Sequence, residues 1–427
     1  MFDRDQIKQI LVDQRKMILD KPYGVERNLL KEVDKKTELP HVVVITGVRR
    51  AGKSTLLRQI IKKYFRDRDF YYLNFEDERL FGFPAANFNI LYETLVELYG
   101  EKKPFFIDEI QNVDHYETFV RRFYDAGFKF FLTGSNASML SRELGTKLTG
   151  RHVDLVLSPF SFDEYLRFNK VEYTEEMLWQ TESRAGIKKY FEDYLVSGGM
   201  PEYLKYRDRE ILTRIYEDIV IKDIAVRYNV ENLYEMRMVY LSLISNFATK
   251  FSYHSVRKSS GLGSVTTVKN YIFYLSETFF ITLVNKYDHS IRKQLANEKK
   301  VYPVDNGFIR VLSARTGKDK GWLLENLVFN MLNNKEEEVY YYQGKHECDF
   351  VTKHDREITG AVQVTTELSD NNKDREIKGL LEAMEAYGLQ EGLVLTMDQR
   401  MDLQAEGKNI RVRPVWQWIL NRGLRGI

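Results

Sequence analysis

A glycine-rich segment at residues 47–54 constrains the fold of this chain more than any other feature. The segment reads GVRRAGKS and fits the pattern G-x-x-x-x-G-K-[ST]. It follows the apolar run Val42–Ile45, and apolar side chains at helical spacing come after it. Because a phosphate-binding loop needs a buried strand before it and a helix after it, the sequence predicts a nucleoside triphosphate site on an α/β fold.

Each position of this loop has an expected role. Gly47 and Gly52 let the backbone wrap around phosphates with its N–H groups pointing inward. Lys53 supplies positive charge to the β and γ phosphates of ATP, and the Ser54 hydroxyl is expected to bind Mg²⁺. Arg50 either adds positive potential to the loop or projects into solvent. The remaining expected nucleotide contacts come from Ala51 and Thr55.

A pair of acids ends a later apolar strand, Phe105–Asp108, and provides the second half of a hydrolytic site. Such a strand places Asp108 at the carboxyl edge of a parallel sheet, where ligands of open α/β sheets bind. Asp108 is expected to hold Mg²⁺ through water, and Glu109 to orient and polarise the attacking water. The alternative is that both are solvated acids at a strand end.

Two further positions are candidates for catalysis. The next strand ends in Thr133-Gly134-Ser135-Asn136. Asn136 is a candidate to reach the γ-phosphate or the attacking water, and with Ser135 it is also a candidate cap of the following helix. Both roles can hold together. Arg151 precedes the fifth predicted strand. It is either an ordinary surface residue or a guanidinium offered to the γ-phosphate of a neighbouring subunit.

Short apolar strands alternate with helical stretches between residues 41 and 158, which predicts a parallel sheet covered by helices. The predicted strands are Val42–Thr46, Phe70–Phe75, Phe105–Asp108, Phe130–Thr133 and Val153–Leu157. The chain then becomes mainly helical up to about residue 293. A mixed region follows from Lys300, with strands predicted near Val339–Tyr342, Cys348–Thr352, Ala361–Val364 and Gly392–Thr396.

The composition excludes several classes of protein. The formal net charge is +2, so any contact with nucleic acid must come from a local patch. Cys348 is the single cysteine, which rules out internal disulfides and cysteine-based zinc sites. No apolar run approaches the roughly 18 residues of a membrane span, and the first residues lack the apolar core of a signal peptide. We therefore expect a cytoplasmic protein without a membrane partner.

A possible helix-turn-helix lies in the helical part. The segments Tyr253–Ser259 and Val265–Glu277 flank a glycine turn, with Ser264 as the expected N-cap. This arrangement either contacts DNA or serves only as scaffold. The expected outward side chains are Thr266, Thr267, Lys269 and Asn270, and the basic residues expected near phosphates are Arg292, Lys293, Lys299 and Lys300.

Several motifs together resemble the AAA+ superfamily and, more narrowly, a prokaryotic family that pairs this ATPase with a C-terminal domain of unknown function. They are Gly47–Ser54 (Walker A), Asn74–Asp77, Ile107–Asn112 (Walker B), Thr133–Asn136, Gly150–Arg151, Ser197–Glu202 and Gly321–Asn326. In AAA+ proteins the position like Arg151 is the usual place for an arginine finger. The resemblance thus implies a homo-oligomer in which Arg151 acts across a subunit boundary.

The resemblance also implies a domain order. A P-loop NTPase core of AAA+ type would occupy residues 1–160, a helical lid 161–233, a winged-helix segment 234–295, and a small α/β domain similar to PD-(D/E)XK nucleases 296–427. The nuclease pattern falls on Glu325, Asp349, Gln363 and Thr365. Gln363 stands where an acid is expected and Thr365 where a lysine is expected, unless Lys345 or Lys353 supplies that charge. We therefore expect a degenerate domain that does not cleave DNA.

The function expected from the sequence is ATP hydrolysis that requires Mg²⁺ and moves the helical and C-terminal modules, with DNA as one candidate target. Two alternatives stay open. One is a DNA-binding protein or nuclease for which ATP is a switch. The other is a protein-interaction scaffold in a defence or regulatory system.

Overall fold

A computed structural model describes residues 3–65, 69–135, 150–313, 320–333 and 337–425. The described residues form two compact units. The first ends at Ser158 and also includes Glu277–Phe279, and the second contains the rest of the chain from Pro159 onward. The predicted division into four domains stays a prediction.

The first unit is built on a parallel sheet whose strand order is β2-β3-β4-β1-β5. The strands are β1 (Val42–Thr46), β2 (Tyr71–Asn74), β3 (Pro104–Asp108), β4 (Lys129–Thr133) and β5 (His152–Val156). The predicted α/β fold class and its parallel sheet are confirmed, and strand ends shift by a residue or so.

Helices cover both faces of this sheet, so its central strands are apolar on both sides. Val42 and Val44 lie in one core, and Val43 and Ile45 lie in the other, because side chains alternate along a strand. The helices are α1 (Arg4–Asp20), α2 (Leu30–Thr37), α3 (Lys53–Tyr64), α4 (Phe88–Tyr99) and α5 (Tyr116–Asp125), with 3₁₀ turns at Glu78–Leu80, Ala85–Asn87 and Ile110–Asn112.

The strand order decides where the functional residues meet. Strand β4 lies between β1 and β3, and all three run in the same direction. Their carboxyl ends therefore lie side by side. This edge carries the start of the glycine loop after β1, Asp108 at the end of β3, and Thr133 at the end of β4.

The second unit begins with helices. They are α6 (Phe162–Phe168), α7 (Thr181–Ser197), α8 (Pro201–Tyr206), α9 (Arg209–Asp218), α10 (Leu233–Ser245), α11 (Tyr253–Ser260), α12 (Val265–Glu277), α13 (Ile291–Ala296), α14 (Asn306–Leu312), α15 (Lys320–Leu332), α16 (Lys373–Ala386) and α17 (Val415–Arg425). A π-helical segment, Ile219–Ala225, follows α9. Within the described residues, no helix is both long and apolar enough to cross a membrane.

Two sheets belong to this unit. An antiparallel sheet with the order β6-β8-β7 contains β6 (Lys250–Phe251), β7 (Ile281–Asn285) and β8 (Lys299–Pro303). A mixed sheet has the order β13-β14-β12-β11-β10-β9. Its strands are β9 (Glu338–Gln343), β10 (Glu347–His354), β11 (Glu357–Val364), β12 (Glu391–Thr396), β13 (Met401–Ala405) and β14 (Lys408–Pro414).

The predicted helix pair is present as α11 and α12. Ser264 accepts a hydrogen bond from the Thr267 N–H at 3.3 Å, as an N-cap does. Thr266, Lys269 and Asn270 are exposed, as expected, whereas Thr267 is half-buried.

Two of the predicted basic contacts are wrong. Lys299 is 6% exposed and Lys300 is 2% exposed, because β8 lies in the middle of its sheet and both side chains are covered by packed residues. Neither lysine is available to a phosphate on the surface. Arg292 and Lys293 lie on the exposed helix α13.

The motif Ser197–Glu202 is explained by close packing inside the second unit. Gly198 has a φ of +71°, and a Cβ there would lie 2.0 Å from Asp305 Oδ1. The Gly199 N–H donates to Asp305 Oδ2 at 2.6 Å. Burial raises the pKa of Asp305 to about 6, although backbone hydrogen bonds oppose that rise. These residues therefore build a tight turn around a buried carboxylate.

Candidate nucleotide-binding site

The glycine loop between β1 and α3 has a backbone that only glycine fits at its first position. Gly47 has a φ of +141°, and a Cβ there would lie 2.2 Å from the Leu157 carbonyl oxygen. Gly52 has a φ of +103° and directly precedes α3. The loop thus passes against β5 and ends at a helix N-terminus, where free N–H groups and the helix dipole favour an anion.

Lys53 is the first residue of α3, and its side chain turns back toward the loop and is 5% exposed. Its ammonium is 3.2 Å from the Gly47 carbonyl oxygen and 3.4 Å from that of Val48. It is also 3.9 Å from Glu109 Oε1. The ammonium therefore lies between the loop that would hold phosphates and the proposed catalytic carboxylate.

Asp108 is buried at the end of β3 and receives several hydrogen bonds. The Thr133 hydroxyl donates to Oδ1, and the Tyr72 hydroxyl lies 3.5 Å from Oδ2. Burial, and then the charge of Glu109, raise the pKa of Asp108 to about 6, whereas hydrogen bonds from Thr133 and Ser54 and the charge of Lys53 act in the opposite direction. The Ser54 hydroxyl, on the other predicted Mg²⁺ residue, is thus close enough to Asp108 to lower its pKa.

Glu109 has a φ of +51°, in the left-handed region that non-glycine residues rarely adopt. Its N–H donates to the Thr133 hydroxyl at 3.0 Å, and the Gln111 amide donates to its Oε2. Such strained residues persist where their neighbours fix them, and they cluster at functional sites. The Thr133 hydroxyl therefore connects the two residues, since it donates to the Asp108 carboxylate and accepts from the Glu109 backbone N–H.

Three residues of this site have roles that the sequence does not mark. Thr133 is only one position of a motif there, and no pattern marks Gln111 as a partner of Glu109. Arg27 had no motif at all, yet it donates to the carbonyl oxygens of Ala51 at 2.8 Å and Ser158 at 2.6 Å. Arg27 therefore fixes the loop from a segment about twenty residues earlier in the chain.

Arg151 lies apart from these residues. It precedes β5, and the Arg151 carbonyl oxygen accepts a hydrogen bond from the Val42 N–H at the amino end of β1. The loop follows the carboxyl end of β1, so Arg151 lies at the opposite edge of the sheet. Its guanidinium pairs with Asp125 at 2.8 Å and is about half exposed. Asn136 lies outside the described residues.

The outer loop positions have local partners. Arg50 has a φ of +66°, and Arg49 pairs with Glu76 at 3.7 Å. Thr55 accepts a hydrogen bond from Arg58 at 3.4 Å. The donor set as a whole fits MgATP, since it offers helix N-terminal N–H groups and Lys53 to phosphates, and the Ser54 hydroxyl with a carboxylate to the metal.

Comparisons with known proteins agree with this geometry. Residues 40–166 match the sequence profile of a family described as an AAA domain, and residues 188–319 match a domain of unknown function, DUF8612. Uncharacterized protein MJ1544 of Methanocaldococcus jannaschii is 33% identical over 405 residues, which cover 89% of this chain and 88% of that protein. The chain belongs to the same family as this archaeal protein. Its residues 40–166 form the AAA domain that contains the glycine loop.

A second relative and a solved structure are less similar to this chain in sequence. An uncharacterized protein of Haemophilus influenzae is 29% identical over 363 residues, which cover 82% of this chain and 88% of that protein. Among solved structures, the Thermotoga maritima RuvB Holliday junction branch migration motor has 16% identity and a TM-score of 0.29, with 69% of this chain and 95% of that chain covered. Similarity at that level carries no functional argument.

The residues of the nuclease pattern meet in the second unit. Glu325, Asp349, Gln363 and Thr365 all line one cavity of about 940 Å³. Lys353 does not supply the missing charge there, since its ammonium pairs with Glu338 at 2.9 Å.

Proposed function

We propose that the chain hydrolyses ATP with Mg²⁺ at the carboxyl edge of the parallel sheet. The observation that carries this proposal is the meeting of Lys53, Asp108 and Glu109 at one glycine loop, with Lys53 3.9 Å from Glu109. A site that only binds phosphate has no use for a strained, partly exposed glutamate beside the lysine.

Each residue has a role in this proposal. Lys53 and the loop N–H groups hold the β and γ phosphates, while Ser54 and Asp108 hold the metal, which would neutralise phosphate charge. Glu109 orients and polarises the attacking water. Because Lys53 pairs with Glu109 in the structure, an incoming triphosphate competes for the ammonium and leaves the carboxylate available to water.

Arg151 is proposed to act on the nucleotide of a neighbouring subunit. Its place at the opposite edge of the sheet keeps it from the phosphates of its own chain, and its pairing partner Asp125 is exposed and exchangeable. The proposal requires a homo-oligomer. Arg151→Ala should then lower turnover while ATP binding stays unchanged, and a strictly monomeric chain in ATP would remove this role.

A second candidate function is DNA contact through α12. The exposed Thr266, Lys269 and Asn270 on the helix after the turn support it, since these residue types bind bases and phosphates. If α12 contacts phosphates, Lys269→Ala weakens duplex binding and lowers its salt dependence by about one ion. Retention of the full salt slope would leave α12 as scaffold.

The test of the main proposal is steady-state ATP hydrolysis by the full chain, with and without duplex DNA. We expect Glu109→Gln to reduce kcat on the order of 100-fold or more while ATP binding persists. The matched control is Glu78→Gln, an exposed glutamate of the same unit that should change nothing.

The outcomes separate the alternatives. Turnover raised by DNA supports a DNA-linked motor, and turnover indifferent to DNA directs the search to protein partners. Equal turnover in the wild type and Glu109→Gln would contradict the proposed site. ATP binding without any turnover would favour a nucleotide switch.

A further inference from the structure

Three carboxylates meet in the cavity of the second unit around one buried lysine. Glu325 comes from α15, and Glu347 and Asp349 come from β10. The ammonium of Lys300, on β8, lies 3.0 Å from Glu325 Oε1, 2.7 Å from Glu347 Oε1 and 3.5 Å from Asp349 Oδ1. These four residues are called the Lys300 cluster below.

A divalent metal is what the resemblance to PD-(D/E)XK nucleases implies at this place, and the residues do not fit one. Magnesium binds carboxylate oxygens at about 2.1 Å and needs near-octahedral space around it. In the Lys300 cluster an ammonium already contacts an oxygen of each carboxylate. An ion bonded to the same oxygens would overlap that ammonium and would repel its charge.

Each of the three carboxylates also has a protein partner besides Lys300. The Tyr302 hydroxyl donates to Glu325 Oε1 at 2.7 Å, and Lys250 lies 2.8 Å from Glu347 Oε2. The Val364 N–H donates to Asp349 Oδ2 at 2.9 Å. Each carboxylate is therefore held by Lys300 and by one further protein group, as buried charges need partners.

Gln363, which could have offered its carbonyl to a metal, is committed to neighbours as well. Its Oε1 accepts from the Asp349 N–H at 3.2 Å, and its amide donates to Glu376 Oε2 at 2.6 Å. The side-chain amide of Gln363 thus links the backbone N–H of Asp349 to the carboxylate of Glu376.

The electrostatics agree with a permanent cation. Burial by itself would lower the pKa of Lys300, but Glu325, Tyr302, Asp349 and Glu347 raise it well above the ordinary value. Burial, and then the charge of Glu325, raise the pKa of Asp349. The Lys300 ammonium thus stays protonated and occupies the position that contacts all three carboxylates.

We propose that the Lys300 ammonium is the resident cation of this cluster and excludes a divalent metal ion from it. The cavity is then a metal-free site, and metal-dependent cleavage of nucleic acid is absent. The inference is independent of ATP hydrolysis, since none of its residues belongs to the nucleotide site.

The test removes the Lys300 ammonium by substitution and measures whether a divalent metal ion then binds to the chain. Mn²⁺ binding to the full chain is measured without nucleotide by electron paramagnetic resonance, in the wild type and in Lys300→Met. We expect no Mn²⁺ on the wild type. In Lys300→Met the uncompensated carboxylates should bind a single ion per chain at least about tenfold more tightly than the wild type does.

Two further variants locate that ion. Adding Asp349→Asn to Lys300→Met should abolish the gain, since Asp349 would be a ligand. The matched control is Lys353→Met, which removes a partly buried lysine of β10 that pairs with an exposed glutamate, and it should gain nothing.

Thermal unfolding gives a second reading. Mn²⁺ should raise the Tm of Lys300→Met and leave that of the wild type unchanged. Mn²⁺ bound to the wild type and lost in Asp349→Asn would overturn the proposal. A folded Lys300→Met that gains no ion would also overturn it. If Lys300→Met does not fold, the wild-type comparison with Asp349→Asn decides.

Discussion

Two lysines in this molecule lie among carboxylates, and their surroundings give them opposite uses. Lys53 has the carbonyl oxygens of its loop as nearest partners, and it pairs with the carboxylate of Glu109 at 3.9 Å. Lys300 has three carboxylates within 3.5 Å. The Lys53 ammonium therefore retains positive charge that can attract a ligand, whereas carboxylates of the protein neutralise the Lys300 ammonium.

The backbone explains the difference. Around Lys53, the glycine loop and the start of α3 add positive potential, so the site as a whole favours an anion such as a triphosphate. Around Lys300, which lies on β8, strand β10 and helix α15 bring in acids that surround the ammonium. A lysine near acids therefore indicates a ligand site only when part of its charge remains unbalanced.

The largest effect is expected from removing the first lysine. Lys53→Met should lower kcat/KM for ATP by at least about 100-fold, because phosphate charge loses its main partner. Steady-state hydrolysis and ATP binding measure it. Lys63→Met, an exposed lysine of the same helix, is the control. Loss of activity in both variants would indicate a general defect of α3.

Removing the second lysine should instead affect stability. Lys300→Met leaves buried carboxylates uncompensated and should lower the free energy of unfolding by about 3–5 kcal/mol. Lys353→Met, whose partner Glu338 is exposed, should cost less than about 1 kcal/mol. Denaturant unfolding monitored by circular dichroism compares them. Similar small losses in both would show that the buried carboxylates do not depend on Lys300 for compensation.

The bridging hydroxyl of Thr133 should have an intermediate effect on turnover. Thr133→Val removes the hydrogen bond that the hydroxyl donates to the Asp108 carboxylate and the one that it accepts from the Glu109 N–H. It should lower kcat about tenfold or more, since a hydrogen bond to a charged group contributes roughly 1.5–3 kcal/mol. Thr133→Ser keeps the hydroxyl and should restore kcat. Failure of serine to rescue turnover would indicate that packing, not the hydroxyl, matters at this position.

The smallest effect concerns pH. The pKa of Asp108 is raised to about 6, so below that pH the free protein holds Asp108 protonated and unable to accept Mg²⁺. The kcat/KM for ATP should therefore fall as pH decreases through 6, by about tenfold for each unit below it. Thr133→Val removes a hydrogen bond that lowers this pKa, so it should move the fall to higher pH. A profile that stays flat to pH 5 would contradict the assignment.

The sequence predicts that Lys53 and Asp108 meet, because the elements that carry them follow local patterns. Strand, loop and helix are contiguous, and the carboxyl ends of parallel strands must meet at one edge, so Lys53 and Asp108 could be placed together without a structure. The left-handed backbone of Glu109 and the contacts of Arg27 depend on tertiary packing, and no local pattern marks them.

The Lys300 cluster shows what sequence reasoning could not reach. Lys299 and Lys300 look alike in the sequence and suggested a basic surface, yet both are buried, and Lys299 donates to Asn285 Oδ1 at 2.7 Å. The partners of Lys300 are 25 residues or more away along the chain. Which lysine faces acids is decided by how β8 packs, and the residue types alone do not contain that information.

The most direct test of the contrast between the two lysines counts metal ions on the wild-type chain. Mn²⁺ binding is measured by electron paramagnetic resonance with and without a non-hydrolysable ATP analogue. The account predicts a single ion per chain that appears only with the nucleotide, is lost in Lys53→Met and persists in Asp349→Asn. An ion that binds without nucleotide and disappears in Asp349→Asn would contradict it.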